Sequence, residues 1–363
     1  MCQRKKSFRL INIIIALLLA GVTFAIYSKS FSVGYLPRRP TVAENVFWTP
    51  QSDTYSSSRS ASRKFHVALT ASNSTYCQWQ SRIAYHTYKK VKSLGGSDIG
   101  QFTRILHASQ PDNLVNEIPS FLVSELPDGG DRNYPPLNRP WAFVQWLDLV
   151  SIDEEYILMI EPDHVFVKPI PNLAFGDIPV AYKFFYMEPM KVEDLLRRYY
   201  PVENGPVTDI YPIGSSPVII KKHLLQKIAS TWLALTMRME DDPECKNRIG
   251  WVLDMYAYAT AAALHGVQHI IVKDFMVEPP HDTVMGNAFI IHYTFEMEYT
   301  SEGKKVEPGF NGAWRFDKRT YLDEPPPSNF LMPPKGSPET VVALIENVIE
   351  ASHALPRWDD IGR

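Results

Sequence analysis

The sequence predicts an α/β globule on a mostly parallel central sheet flanked by helices, preceded by a single N-terminal transmembrane helix. Three observations carry this. Short, wholly apolar segments alternate with longer amphipathic ones over residues 64–363, the pattern of strands joined by helices. Only one long uncharged apolar run occurs, near the N-terminus. At 45% hydrophobic and 21% charged, the chain can fill a large core. This excludes a disordered chain, and the single run excludes a multi-span membrane protein.

The run covers residues 10–27 and follows Arg4, Lys5, Lys6 and Arg9. Eighteen helical residues rise roughly 27 Å, near the thickness of a bilayer's hydrocarbon core. Basic residues ahead of the run place the N-terminus in the cytoplasm and the body in the lumen. Residues 1–9 are then a cytoplasmic tail and 10–27 a signal-anchor. The alternative is a cleaved signal peptide ending near Thr23-Phe24-Ala25; the length of the run favours the anchor. Residues 28–63 lack periodicity and include QSDTYSSSRSAS, which reads as a flexible stem. Nine basic and two acidic side chains give residues 1–63 a charge of +7, and 28 basic against 38 acidic give residues 64–363 −10. No basic patch with interleaved aromatics is present, so nucleic acid is not an expected partner. Three cysteines (Cys2, Cys77, Cys245) exclude a disulfide scaffold; whether Cys77 and Cys245 pair is open.

Within 64–363, the segment 65–71 (FHVALTA) reads as a buried first strand, 76–93 as a helix, 102–107 and 121–123 as strands, and 141–150 as an aromatic-rich helix. Segment 156–160 (YILMI) is apolar throughout and so belongs at the sheet centre. Segments 217–220 and 288–292 (AFIIH) are further strands, and 250–264 a helix. Ser337-Pro338-Glu339 opens a last helix, with Ser337 as cap and Pro338 at its first position. The proline-rich 325–334 is an extended connector.

Chemistry concentrates at a few points. Glu161-Pro162-Asp163-His164 directly follows YILMI, and ligands of open α/β sheets bind outside the carboxyl ends of strands. Two carboxylates there can hold a divalent cation with room for a diphosphate; a plain polar turn is the bland alternative. His292 ends AFIIH, and an imidazole added to carboxylates suits Mn²⁺. Asp254 is the only charge in GWVLDMYAYATAAAL. A buried carboxylate there is either a structural ion pair or a group facing the reaction centre. Arg139 opens a helix where it can clamp a phosphate beside free N–H groups, and Arg315 follows Trp314 in a segment suited to stacking and phosphate contact.

These features resemble the layout of GT-A fold glycosyltransferases, with Glu161-Pro162-Asp163 in place of DxD. The segments GQFTRILHA (100–108), PDNLVNEIPS (111–120), LNRPWAFVQWL (137–147), YILMIEPDHVFVKPIPNLA (156–174), GPVTDIYPIGSSPVII (205–220), GWVLDMYAYA (250–259), FIIHYT (289–294) and WRFDKR (314–319) are similar to the plant and green-algal hydroxyproline O-arabinosyltransferases. The similarity covers the whole globule, about 65–358. It implies transfer of L-arabinofuranose from UDP-β-L-arabinofuranose to 4-hydroxyproline in extensin-like wall proteins and secreted signalling peptides. It also implies retention of configuration, Mn²⁺ dependence, and a Golgi-membrane enzyme of type II topology with its catalytic domain in the lumen. On this resemblance Asp163, Glu161 and His292 would hold the metal. Thr70, Ala71, Arg139, Glu161, Asp163, Ser215 and Arg315 would contact the nucleotide sugar. Asp254 would be the nucleophile or position the sugar, with Asp242 a weaker rival. Retention allows a double displacement or a same-face attack. The chain departs from the family at Ser215 and Asp209, where asparagine is expected, and at Asp254, where glutamate is. The near rival is a serine O-galactosyltransferase of hydroxyproline-rich proteins; the distant one is a non-catalytic carbohydrate-binding protein on the same fold. A groove of Trp141, Trp146, Tyr293 or Trp314 would suit the stiff polyproline II acceptor. Asn73-Ser74-Thr75 is a glycosylation sequon, expected to stay unmodified because it borders the nucleotide end of the first strand.

Overall fold

The computed structural model describes residues 63–124, 126, 134–307 and 309–361. The expected tail, anchor and stem, apart from Arg63, lie outside these. Among the described residues no helix is long and apolar enough to cross a membrane.

The elements follow in the order β1 (Phe65–Ser72), α1 (Thr75–Ser93), β2 (Ile99–His107), β3 (Ser120–Val123), α2 (Asn138–Leu149), β4 (Tyr156–Ile160), β5 (His164–Phe166), β6 (Val180–Lys183) and α3 (Glu193–Leu196). Then come β7 (Ile213–Lys221), α4 (Lys222–Asp241), α5 (Pro243–Arg248), α6 (Leu253–Leu264), β8 (Ile270–Ile271), β9 (Met276–Val277), β10 (Ile290–His292), β11 (Met297–Tyr299), β12 (Trp314–Phe316) and α7 (Glu339–Ala354). Helix α1 begins where the Ser74 hydroxyl accepts the Cys77 N–H, satisfying one free donor of its first turn. In α7 the expected start shifts by one residue: Pro338 is the cap itself and Ser337 lies outside it. Helix α4 escaped the sequence reading, although Leu225, Ile228, Trp232, Leu235 and Met239 mark one buried helical face.

The main sheet has the order β3-β2-β1-β4-β7-β6-β8. Pairing is parallel from β3 through β4, but β7 runs antiparallel to both β4 and β6. The sheet is therefore mixed, which corrects the mostly parallel one expected. Alternation of strands and helices implies parallel neighbours only where a helix makes the crossover. Between β6 and β7 the chain returns through turns and short helices instead. Two small sheets, β5-β10-β9 and β11-β12, sit beside the main one, and both contain antiparallel pairs.

Strand β4 is buried at every residue, as its composition required. One apolar core surrounds the main sheet, and a second lies between α1, α7 and the small sheet. The small sheet divides the two by alternation. Phe166, Met276 and Ile290 join the first core, whereas Val165, Val277 and Ile291 join the second. Cys77 and Cys245 are free thiols.

Candidate active site

The site forms where the chain leaves β4. Strands β1 and β4 pair as far as Leu69 opposite Ile160, so Thr70 and Ala71 stand level with the turn that opens at Glu161. Both are buried. Two charge clusters meet at this edge.

The first is built on Arg139, in the first turn of α2. Its Nη1 donates to Glu161 Oε1 at 2.7 Å and to Ser215 Oγ at 3.0 Å, and lies 3.7 Å from Asp254 Oδ2. Three segments distant in sequence thus converge on one guanidinium. Burial would weaken the Arg139 charge, but Glu161 and then Asp254 outweigh it and hold the group protonated. Burial would likewise raise the Glu161 carboxyl, yet Arg139 keeps it below its ordinary value. Asp254, in the first turn of the buried helix α6, behaves differently. Burial pushes its carboxyl up to about 6, with Arg139 offsetting only part of this. Its Oδ1 accepts from the Tyr134 hydroxyl at 3.2 Å, while Oδ2 is buried without a hydrogen bond.

The second cluster is built on the small sheet. In the β5/β10 register His164 stands directly opposite His292, and their rings are 4.8 Å apart. Asp163 Oδ2 lies 3.3 Å from His292 Nε2. One donor atom from each of Asp163, His164 and His292 falls within 4.8 Å of the others, and all three residues are buried. Lys318 also donates to Asp163. Burial opposes the Asp163 charge, but Lys318 and then His292 hold this carboxyl well below its ordinary value. Burial holds the His164 ring down to about 3, so it is neutral. Burial would lower His292 too, but Asp163 and Glu278 raise it to about 10.

No hydrogen bond satisfies either nitrogen of His164 or of His292. Buried polar atoms normally find partners. Two imidazoles without hydrogen bonds beside the Asp163 carboxylate, which Lys318 holds, fit a divalent transition cation, of which Mn²⁺ is one.

Four expected residues, Arg139, Glu161, Ser215 and Asp254, therefore meet in the first cluster, and Asp163 and His292 meet in the second. Glu161 does not join the metal-type cluster; its carboxylate is turned to Arg139, the nearest compensating charge. Asp242 caps α5, accepting from Glu244 N at 2.9 Å, Arg198 at 3.0 Å and Tyr199 at 3.0 Å. Its contacts are those of a helix cap. Arg315 points outward between buried Trp314 and Phe316, as strand alternation demands, and pairs with Glu296. Lys318, three residues on, is the cation that reaches the site. Trp146 and Tyr293 are fully buried and cannot line a groove. Asn73 is exposed at the end of β1. Asp209 accepts from the Tyr200 hydroxyl at 3.1 Å, beside Gly205.

His164, Glu278 and Lys318 were missed as site residues. His164 was visible as the neighbour of Asp163. Glu278 and Lys318 become meaningful only through strand pairing and a long return of the chain.

An acid-x-acid turn at the carboxyl edge of an α/β sheet, faced by imidazoles and by an arginine among carboxylates, can hold a cation and a diphosphate side by side, as a transferase using an activated, phosphorylated donor requires. Comparison with known proteins makes this specific. Residues 65–271 match the hydroxyproline O-arabinosyltransferase family N-terminal domain, and residues 289–359 match the C-terminal domain of the same family. Hydroxyproline O-arabinosyltransferase RDN1 of Medicago truncatula is 50% identical over 363 residues, all of both chains. The chain belongs to the hydroxyproline O-arabinosyltransferase family. A peptidyl serine alpha-galactosyltransferase of Arabidopsis thaliana is 27% identical over 284 residues, 71% of this chain and 32% of that one. Among solved structures, the apo WbbM bifunctional glycosyltransferase has a TM-score of 0.40 at 10% identity, covering 79% of this chain and 50% of that one; that likeness is too slight to build on.

Proposed function

We propose that this chain transfers L-arabinofuranose from UDP-β-L-arabinofuranose to the hydroxyl of 4-hydroxyproline in extensin-like proteins and secreted peptides, with retention. The single observation that supports the chemistry best is the buried Asp163–His164–His292 cluster with idle nitrogens, one turn from the Arg139–Asp254 cluster. Family membership supports the donor and acceptor.

Asp163, His164 and His292 would hold a divalent metal, with Mn²⁺ our choice; when bound it supplies positive charge to a departing diphosphate. Arg139 and Lys318 are our candidates for further diphosphate contact. Thr70 and Ala71 border the nucleotide, and Ser215 orients Arg139. The acceptor oxygen bonds to the anomeric carbon, and the bond from that carbon to the β-phosphate oxygen breaks, its electron pair leaving with UDP. In a double displacement Asp254 Oδ2 would attack first, expelling UDP; the acceptor oxygen would then displace the carboxylate, giving its proton to the released UDP phosphate. In a same-face attack the departing phosphate would take the acceptor proton and Asp254 would position the sugar. The double displacement needs Asp254 ionised, the form favoured above about pH 6.

The acceptor groove expected from Trp146 and Tyr293 gives way to exposed rings near the second cluster. Phe185 lies 5.0 Å from His281 and 6.2 Å from Phe295, on segments that also carry Phe184, Glu278 and His292. Ring faces of this kind suit proline-type residues in an extended peptide. Type II topology is proposed from the basic residues before the 10–27 run, and the Golgi lumen from the family resemblance. Offering the purified enzyme UDP-arabinofuranose or UDP-galactose with a hydroxyproline peptide tests the reading: a pentose gain supports it, and a hexose gain favours the serine galactosyltransferase alternative.

A further inference from the structure

We infer that Glu278 is a positioning residue that fixes the His292 ring, so that Nε2 and not Nδ1 faces the corner formed by Asp163 and His164. The inference rests on the metal reading above.

The geometry begins in the register of the small sheet. Ile290 pairs with Met276 and Ile291 with Val277, so Glu278 stands level with His292. Alternation puts its side chain on the face that carries His292, His164 and Phe166. The Glu278 side chain is 1% exposed, and neither carboxylate oxygen has a hydrogen bond. Its one ion-pair contact among the described residues is His292 Nδ1 at 3.2 Å. A buried carboxylate costs several kcal/mol unless something compensates it, and His292 is the group in place to do so. The backbone of Glu278 is itself held, its N–H donating to Asp282 Oδ2 at 2.8 Å.

The consequence concerns the tautomer. When a metal displaces the Nε2 proton, an imidazole that keeps its Nδ1 proton toward Glu278 presents the Nε2 lone pair as the ligand atom. That atom lies 3.3 Å from Asp163 Oδ2, inside the cluster. A carboxylate behind a ligand histidine sets both ring angle and basicity. His164 has no such partner on either nitrogen. Glu278 is absent from the three-residue cluster, so it acts through His292.

The test uses the full-length enzyme and Mn²⁺ alone, without donor. Binding is measured by calorimetry, and histidine nitrogen coupling by pulsed electron paramagnetic resonance of the bound ion. Glu278→Gln removes the charge at constant size; Glu278→Asp keeps the charge but shortens the reach. Both are expected to raise the Kd for Mn²⁺ by about 10–100-fold and to weaken the coupling of one histidine nitrogen, with metal-free unfolding little changed. Wild-type Kd and coupling in both variants would overturn the inference, whatever happened to stability. So would wild-type affinity in Glu278→Asp alone, which would mean that only charge matters. Lost affinity with both nitrogen couplings intact would make Glu278 a ligand and overturn it too. If the wild-type enzyme bound no Mn²⁺, the metal reading itself would fall, and this inference with it.

Discussion

The two halves of the site are both buried charge clusters, and they differ in how far they are satisfied. Around Arg139, each of Glu161 and Ser215 has a hydrogen bond, and two atoms are idle, Arg139 Nε and Asp254 Oδ2. Around Asp163, two imidazoles and the Glu278 carboxylate lie close together with idle atoms. The first cluster is mostly satisfied within itself, whereas the second leaves both nitrogens of two imidazoles and both oxygens of a carboxylate without hydrogen bonds, as a site shaped for a bound ion would. The difference is our reason for proposing sugar and phosphate positioning for the first cluster and metal binding for the second.

The largest effect should come from breaking the second cluster at its centre. Asp163→Asn is expected to lower kcat/KM on the order of 10³-fold, the scale of several kcal/mol of lost charge stabilisation. Intact Mn²⁺-dependent transfer in that variant would sink the metal assignment.

Asp254→Asn sharpens the contrast from the other side. Transfer should fall about 10²–10⁴-fold, the range for a positioned acid–base or nucleophilic carboxylate. Stability should move the opposite way. A carboxyl raised to about 6 in the fold keeps its proton where the unfolded chain has lost its own. Its contribution is full below pH 4 and is lost as pH rises to 6, so the charge costs up to roughly 3 kcal/mol at neutral pH. Chemical denaturation at pH 7.5 should find the asparagine variant at least as stable as wild type. If Asp254 is the nucleophile, kcat of the wild-type enzyme should fall below about pH 6 as its carboxyl takes up a proton; a flat profile down to pH 5 would contradict that role.

Lys318→Met probes the pairing with Asp163. Leaving a buried carboxylate without its ammonium should cost about 3 kcal/mol, read by urea unfolding. Added Mn²⁺ should restore more of the melting temperature than it adds to wild type, because it supplies the missing charge. Equal metal effects in both proteins would separate Lys318 from the metal site.

Arg315→Ala should do little. Its partner Glu296 is exposed with it, and such pairs are worth about 0–1 kcal/mol; kcat/KM should stay within about twofold of wild type. Asn73 should carry no glycan, so an N-glycosidase should leave the mobility of the secretory-pathway protein unchanged. A shift abolished by Asn73→Gln would show otherwise.

Much of the site was legible because its residues stand where elements end. YILMI announced a central strand, so the acids after it were suspect, and the lone acid in an apolar helix marked Asp254. Arg139 was legible from its place at the start of α2. What could not be read was pairing. The antiparallel direction of β7 and the row that sets His164 beside His292 and Glu278 depend on register between distant segments, which no local pattern encodes. The same blindness chose Arg315 over Lys318. Both are cations in WRFDKR, and only the inward faces of Trp314 and Phe316 show that Arg315 points away.

The identity of the sugar moved is the most direct test of the proposed activity. Purified full-length enzyme, Mn²⁺ and a synthetic hydroxyproline peptide, offered UDP-β-L-arabinofuranose and read by mass spectrometry, should yield peptide heavier by one pentose on hydroxyproline, with the gain lost on chelation. Unchanged peptide, or a hexose gained on serine from UDP-galactose instead, would contradict it.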